Sequence, residues 1–308
     1  VNVLAHLLVA LLLCCAAAAQ AQPLVIRADG GPVDVGRHWD VLPELPPGLS
    51  PDHVAARTDW QRIAAPFPNF GLAHRRVWAR LQVATDGSHD HWQLLVQHGQ
   101  LERATMYVPA GSGWRVYEAG TLATYAERAL PPHRGALFPF DPPAGTATIL
   151  FQFESRGSIL LPAKILSPEQ LRLIDRRDNL LFGIVLGTLL AVTGYALSMY
   201  VAVRDSVYPW FAAFLFSYGL FQSAQFGLPQ YIPFGAAPLS TNLLSVCLPP
   251  FSTFAALTLV QRFFDTSAMP HWMTLAYRVI KWAAFAVLIP LILALLGLIE
   301  TWSFAHVW

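Results

Sequence analysis

Two imidazoles flank a carboxylate at His89-Asp90-His91, and histidine beside aspartate is an ingredient of many divalent-metal sites. The triplet follows the turn cluster Asp86-Gly87-Ser88, so a solvated hairpin turn accounts for it without any ion. His74, His98 and His133 show neither H-E-x-x-H spacing nor cysteine partners. No G-x-S-x-G elbow presents a nucleophilic serine. The two carboxylates of a glycoside hydrolase are defined by their separation in space, so a membrane-anchored glycan-active enzyme stays open as an alternative. The expectation is a chain with no catalytic residues, no metal and no cofactor of its own.

Binding chemistry is better represented. In Val77-Trp78-Ala79-Arg80-Leu81-Gln82-Val83 the apolar residues alternate with Trp78, Arg80 and Gln82. A strand puts successive side chains on opposite faces. Trp78 and Arg80 therefore share a face away from the aliphatic one. An indole ring covers the apolar face of a pyranose while a neighbouring guanidinium bonds its hydroxyls, which makes Trp78 and Arg80 the candidate ligand-binding residues. Packing between layers is the competing role for Trp78, and equally for Trp92, Trp114 and Tyr117. Trp92 lies on the same face as Leu94 and Val96, which argues for its burial.

These residues belong to a β-rich stretch over 23–170. Thr148 to Glu154 alternates like Val77 to Val83, and Trp92 to His98 does so less cleanly. Pro109-Ala110-Gly111-Ser112-Gly113 and Pro142-Pro143-Ala144-Gly145 separate such runs. The pattern predicts about eight to ten short strands in an all-β sandwich or jelly roll. Upstream, the apolar run Leu7 to Cys15 ends in Ala19-Gln20-Ala21, the pattern of a signal peptide over 1–21, although no Lys or Arg precedes it. Cys14 and Cys15 fall in that leader and Cys247 in an apolar stretch, so the sheet domain has no disulfide.

The charged fraction is 13% and the hydrophobic fraction 55%, where soluble domains carry about 25% charge. Most of the charge precedes Asp178. Over 178–308 the sequence predicts an all-α, polytopic membrane domain with helices near 180–203, 210–228, 239–260 and 282–298. With the sheet domain exported, Arg204 falls in one cytoplasmic connection and Arg262, Arg278 and Lys281 in the next, as the positive-inside rule expects. Gly183, Gly187 and Gly194 predict a helix-packing face. Gln222 and Gln225 are the strongest mid-helix polar residues and predict interhelical bonding. No Asp, Glu, His or Lys sits deep in these stretches, which lowers the case for a transport or assembly component. A net charge of +1 without a basic stripe argues against nucleic acid.

The order of these parts resembles the bacterial seven-transmembrane receptors with diverse intracellular signalling modules. Phe182-Gly183 with Gly187, Tyr195, Arg204-Asp205 and Tyr208 resemble the family's first helix and first turn. Gly227 also fits, and Trp78-Ala79-Arg80 resembles a Trp-x-Arg strand of its periplasmic domain. Ala196 and Pro209 depart from the pattern. The resemblance implies a multi-pass receptor of the bacterial inner membrane that senses a periplasmic small ligand, with carbohydrate foremost. It also implies a diguanylate cyclase or histidine kinase output module after three further helices, so the chain reads as a fragment. Membrane lipid, the ligand and a second copy of the chain, as a homodimer, are the expected partners. The link from Leu166 to Arg177 is the expected coupling route.

Overall fold

The structure is a computed structural model. It describes residues 23–26, 31–43, 45–46, 48–63, 65–70, 76–85, 91–99, 101–123, 127–155, 158–228, 237–264 and 270–295. The expected leader, His74, His89 and Asp90 lie outside the described residues.

Eleven strands are described, in two sheets. They are β1 (Leu24–Val25), β2 (Val33–Asp34), β3 (Asp40–Pro43), β4 (Gln61–Arg62), β5 (Arg76–Thr85), β6 (Gln93–Val96), β7 (Arg103–Ala110), β8 (Gly113–Ala119), β9 (Ala136–Pro139), β10 (Gly145–Glu154) and β11 (Ala163–Leu166). A short helix, α1 (Pro51–Ala55), joins β3 to β4. The larger sheet runs β4-β3-β5-β10-β7-β8, with β1 pairing on β5 in parallel. The smaller runs β2-β11-β6-β9.

The alternation read from sequence is what closes the sandwich. Val77, Ala79, Leu81 and Val83 of β5 and Ile149, Phe151 and Phe153 of β10 face Leu94 and Val96 of β6, Phe138 of β9 and Ile165 of β11 in one core. Trp39 is fully buried there, its ring edge on Phe151 at 5.0 Å. Its indole N–H donates to the Leu161 carbonyl at 3.2 Å, which satisfies the one polar atom such a ring brings inside. Trp92 is buried in the same core, as its face assignment implied.

Four long helices follow: α2 (Pro168–Val203), α3 (Val207–Gln225), α4 (Ala237–Phe263) and α5 (His271–Leu295). They occur in the four expected places, but α2 begins twelve residues before the apolar run does. The turn between α2 and α3 is made by the family-like Arg204-Asp205 pair. Arg204 takes a left-handed conformation (φ 61°) that ends α2, and Asp205 accepts the Val207 N–H that opens α3. Each helix packs on its neighbours in sequence. By length and composition, Pro168–Val203 and His271–Ile289 are apolar enough to cross a membrane. Ile184, Val185, Leu190, Val201, Val279 and Ile280 project outward, a surface that suits lipid and not water.

The glycines expected to pack do not make the contact between α2 and α3. Nothing lies within 4 Å of a Cβ built on Gly183, Gly187 or Gly194. The side of α2 that meets α3 carries Phe182, Leu186, Leu189, Thr193 and Ala196, recurring every three to four residues. The glycine at that contact is Gly219 of α3, where an added Cβ would lie 3.7 Å from the Leu186 and Leu189 side chains.

Candidate functional site

The expected ligand residues are not on an open surface. Trp78 is 1% exposed. It lies on the outer face of the larger sheet, as alternation required, but α1 and the segments beside it roof that face. Leu42, Val54 and Leu150 enclose it, and its ring stacks on Tyr107 at 5.5 Å. Arg80 donates from Nε to Asp40 Oδ2 at 2.9 Å and lies 4.8 Å above the Trp60 ring. Arg62 takes the other oxygen of the same buried carboxylate. The guanidinium of Arg80 thus neutralises an internal charge through its Nε. Period-two reasoning gives the face of a residue but not what folds over that face.

Trp114 donates to Asp52 of α1 at 2.7 Å, pinning the roof, and Tyr117 packs on the core. His91 is exposed with φ 68°, and no metal-holding group of three or more His, Cys, Asp or Glu occurs among the described residues.

Beyond the roof, the same sheet face carries a polar row. Arg76 donates to Glu154 at 2.6 Å, Gln152 to Glu154 at 3.1 Å, and the Tyr107 hydroxyl to Gln152 at 3.2 Å. Arg103 and Glu118 pair at 3.3 Å one strand further on. Burial, and then the nearby Glu118 and Glu154 charges, raise the Tyr107 phenol above its ordinary range, so it serves as a neutral donor.

The most developed constellation lies where the sheet domain meets α2. β11 ends at Leu166 and Ser167 caps the helix at once. Its hydroxyl accepts the Gln170 N–H at 3.2 Å while the Gln170 side chain accepts the Ser167 N–H at 3.0 Å, a closed capping box with Pro168 at the first turn. The helix then runs back across the outer face of the smaller sheet. Leu171 and Ile174 cover Leu95 of β6, Leu137 of β9 and Leu166 of β11. One turn later come the charges. His133 Nε2 lies 2.9 Å from Asp175 Oδ1, Arg134 Nη2 donates to the same oxygen at 3.1 Å, and Asp178 Oδ2 stands 3.6 Å from Arg134. The Gly135 N–H donates to His133 Nδ1 at 3.1 Å, which places the ring proton on Nε2, facing Asp175. Gly135 itself crosses β6 where no side chain fits: a Cβ there would fall 2.2 Å from the Val96 carbonyl oxygen.

A cavity of about 170 Å³ opens at this corner, lined by His133, Arg134, Asp175 and Asp178 together with Gln225 and Phe226 from the end of α3. Phe226 reaches across to Phe182 of α2, ring centres 4.5 Å apart. The sequence marked Gln225 and the link that holds Asp175, and His133 only as a histidine without metal-site spacing, but did not join them with Arg134 and Asp178, since the pairs come from segments some forty residues apart. The signal available was Ser167-Pro168-Glu169-Gln170, a capping-box pattern that starts the helix before its charged turns.

These geometries join a sandwich to a membrane helix through a packed, ion-paired corner with no intervening loop. Comparison with known families agrees on both sides of the corner. A family model described as 7TMR-DISM extracellular 2 matches residues 36–167, and one described as 7TM diverse intracellular signalling matches residues 178–307. No curated protein matches the chain. The protein is thus a membrane receptor with an extracellular sensor domain, and the chain belongs to the 7TMR-DISM family of signalling receptors.

Proposed function

We propose that this chain is the sensing and first transducing part of a multi-pass receptor of the bacterial inner membrane. A small periplasmic ligand, with carbohydrate the leading class, binds the sandwich and shifts the position of α2. The catalysis belongs to an output module of the diguanylate cyclase or histidine kinase kind, outside the residues given, and this chain contributes none.

One observation carries the reading: the first three turns of α2 are part of the sensor's own packing. Leu171 and Ile174 sit on the smaller sheet and Asp175 is held by two side chains of the loop before β9. The helix then continues without a break to Val203, so a displacement of the sheet is a displacement of the membrane segment. A ligand shifts this equilibrium only by binding one arrangement more tightly than the other.

For the ligand, the polar row is a better platform than Trp78 and Arg80. Glu154, Gln152, Arg76 and Tyr107 present partly exposed donors and acceptors of the kind that bind the hydroxyls of a polyol. The test is a thermal-shift screen of the detergent-solubilised protein against a panel of oligosaccharides. A hit that raises Tm, and is lost in Glu154→Gln with the apo Tm unchanged, supports the reading. A hit that survives Glu154→Gln and Arg76→Ala places the ligand elsewhere.

A further inference from the structure

The corner joins the sensor to a second helix as well. The loop after β6 passes Gly99 against the end of α3. A Cβ at position 99 would lie 3.0 Å from the Gln225 carbonyl oxygen and 3.1 Å from the Arg134 carbonyl oxygen, with the Gly227 nitrogen at 3.7 Å. Two of these atoms belong to the α3 terminus and one to the loop that grips Asp175 of α2. Glycine permits a backbone approach that any side chain obstructs. The α3 terminus is shaped for the contact: Gly227 is left-handed (φ 72°) and its N–H bonds back to the Ala224 carbonyl at 3.1 Å, turning the chain off the helix axis beside the sensor. Phe226, inside that turn, packs on Phe182.

We infer that the sheet domain docks on two helices at once, on α2 through the capped link and on α3 through a seat at Gly99, and that what it transmits is the displacement of one helix against the other. This rests on the receptor reading for its purpose, but the docking stands on geometry alone. A sensor gripping α2 only would tilt the bundle as a body. A sensor gripping both can shear them, and the weak points of such a shear are visible. Near the corner α2 and α3 meet through the Phe182–Phe226 ring pair, and the cavity between the grips leaves room for relative movement. Gly99 is a positioning residue in this scheme, and it touches no ligand.

The experiment uses the full chain in native membranes, with Cys14→Ser, Cys15→Ser and Cys247→Ser to remove the native thiols. Cysteines replace Gln97 and Gln225, which line the cavity, so that Phe226 and the Gln225 carbonyl stay in place, and a short thiol-specific cross-linker is added without any ligand. The expected result is efficient intramolecular cross-linking that falls stepwise in Gly99→Ala and Gly99→Val, while proteolysis shows the sandwich still folded. Absence of the cross-link with Gly99 intact, or equal yields with glycine, alanine and valine at 99, overturns the proposal. If valine unfolds the sandwich, the alanine variant decides by the same criterion. Because neither ligand nor output is read, a failure here leaves the receptor reading standing, and a failed ligand screen leaves this docking standing.

Discussion

At the residue scale, the sensor's polar chemistry is spent largely on holding its own parts in place. Asp40 is one carboxylate shared by two guanidiniums, and Asp175 is one carboxylate oxygen shared by an imidazole and a guanidinium. Hydrogen bonds to charged groups contribute about 1.5–3 kcal/mol each where water is excluded. His98 adds a pH dependence. Burial depresses its pKa, only partly offset by its bond to the Ser158 carbonyl at 3.0 Å. Burial also depresses His38, with Arg62 adding to the effect. Depressed imidazoles mean that the unfolded chain takes up protons first. Stability is complete above the ordinary imidazole pKa of about 6.5 and declines as pH falls below it toward the folded value. Thermal melts from pH 7.5 to 5 should therefore show a falling Tm, and His98→Gln should flatten that slope. An unchanged slope in the variant would mean that His98 is not the titrating group.

At the element scale, the informative piece is the start of α2. Hydropathy places the helix near 180 because the charged residues from Arg172 to Asp178 look like a soluble link. They are helical because Ser167 and Gln170 cap the turn and because Leu171 and Ile174 supply an apolar stripe within the charged run. The strands were legible at the level of face: Val77 to Val83 and Thr148 to Glu154 put their aliphatic and aromatic residues on the core side, but Trp78 and Leu150, on the other side, are buried as well. What periodicity does not carry is the long-range cover, such as α1 over Trp78, or the side of α2 on which its neighbour lies, which left Gly183, Gly187 and Gly194 facing outward and Gly219 inward. Leu171→Ala should cost about 2–5 kcal/mol of helix-to-sheet docking. Hydrogen exchange checks this: protection of amides 171–178 should fall markedly while that of β5 and β10 stays. Equal loss in both regions would mean that the helix start and the sandwich unfold as one unit.

At the scale of the whole molecule, the account describes a lever. The sandwich holds about 16 Å of a helix whose full length is about 54 Å, at 1.5 Å per residue, and the remainder runs among apolar side chains turned outward. The order of sheet and helices was legible because composition changes sharply near Asp178. The lever itself was not, since its fixing contacts join residues some forty positions apart. If the lever transmits, replacing 168–177 with a Gly/Ser stretch in a receptor that carries its output module should abolish the response to ligand while leaving binding intact. An undiminished response would remove α2 from the route. The most direct test of rigidity needs no ligand. Spin labels at Ala129→Cys on the sheet domain and Val201→Cys near the far end of α2, in a background with Cys14, Cys15 and Cys247 all changed to Ser, report one distance by double electron–electron resonance. A single narrow distribution is predicted, and a broad or bimodal one, showing a hinge between sandwich and helix, would contradict the account.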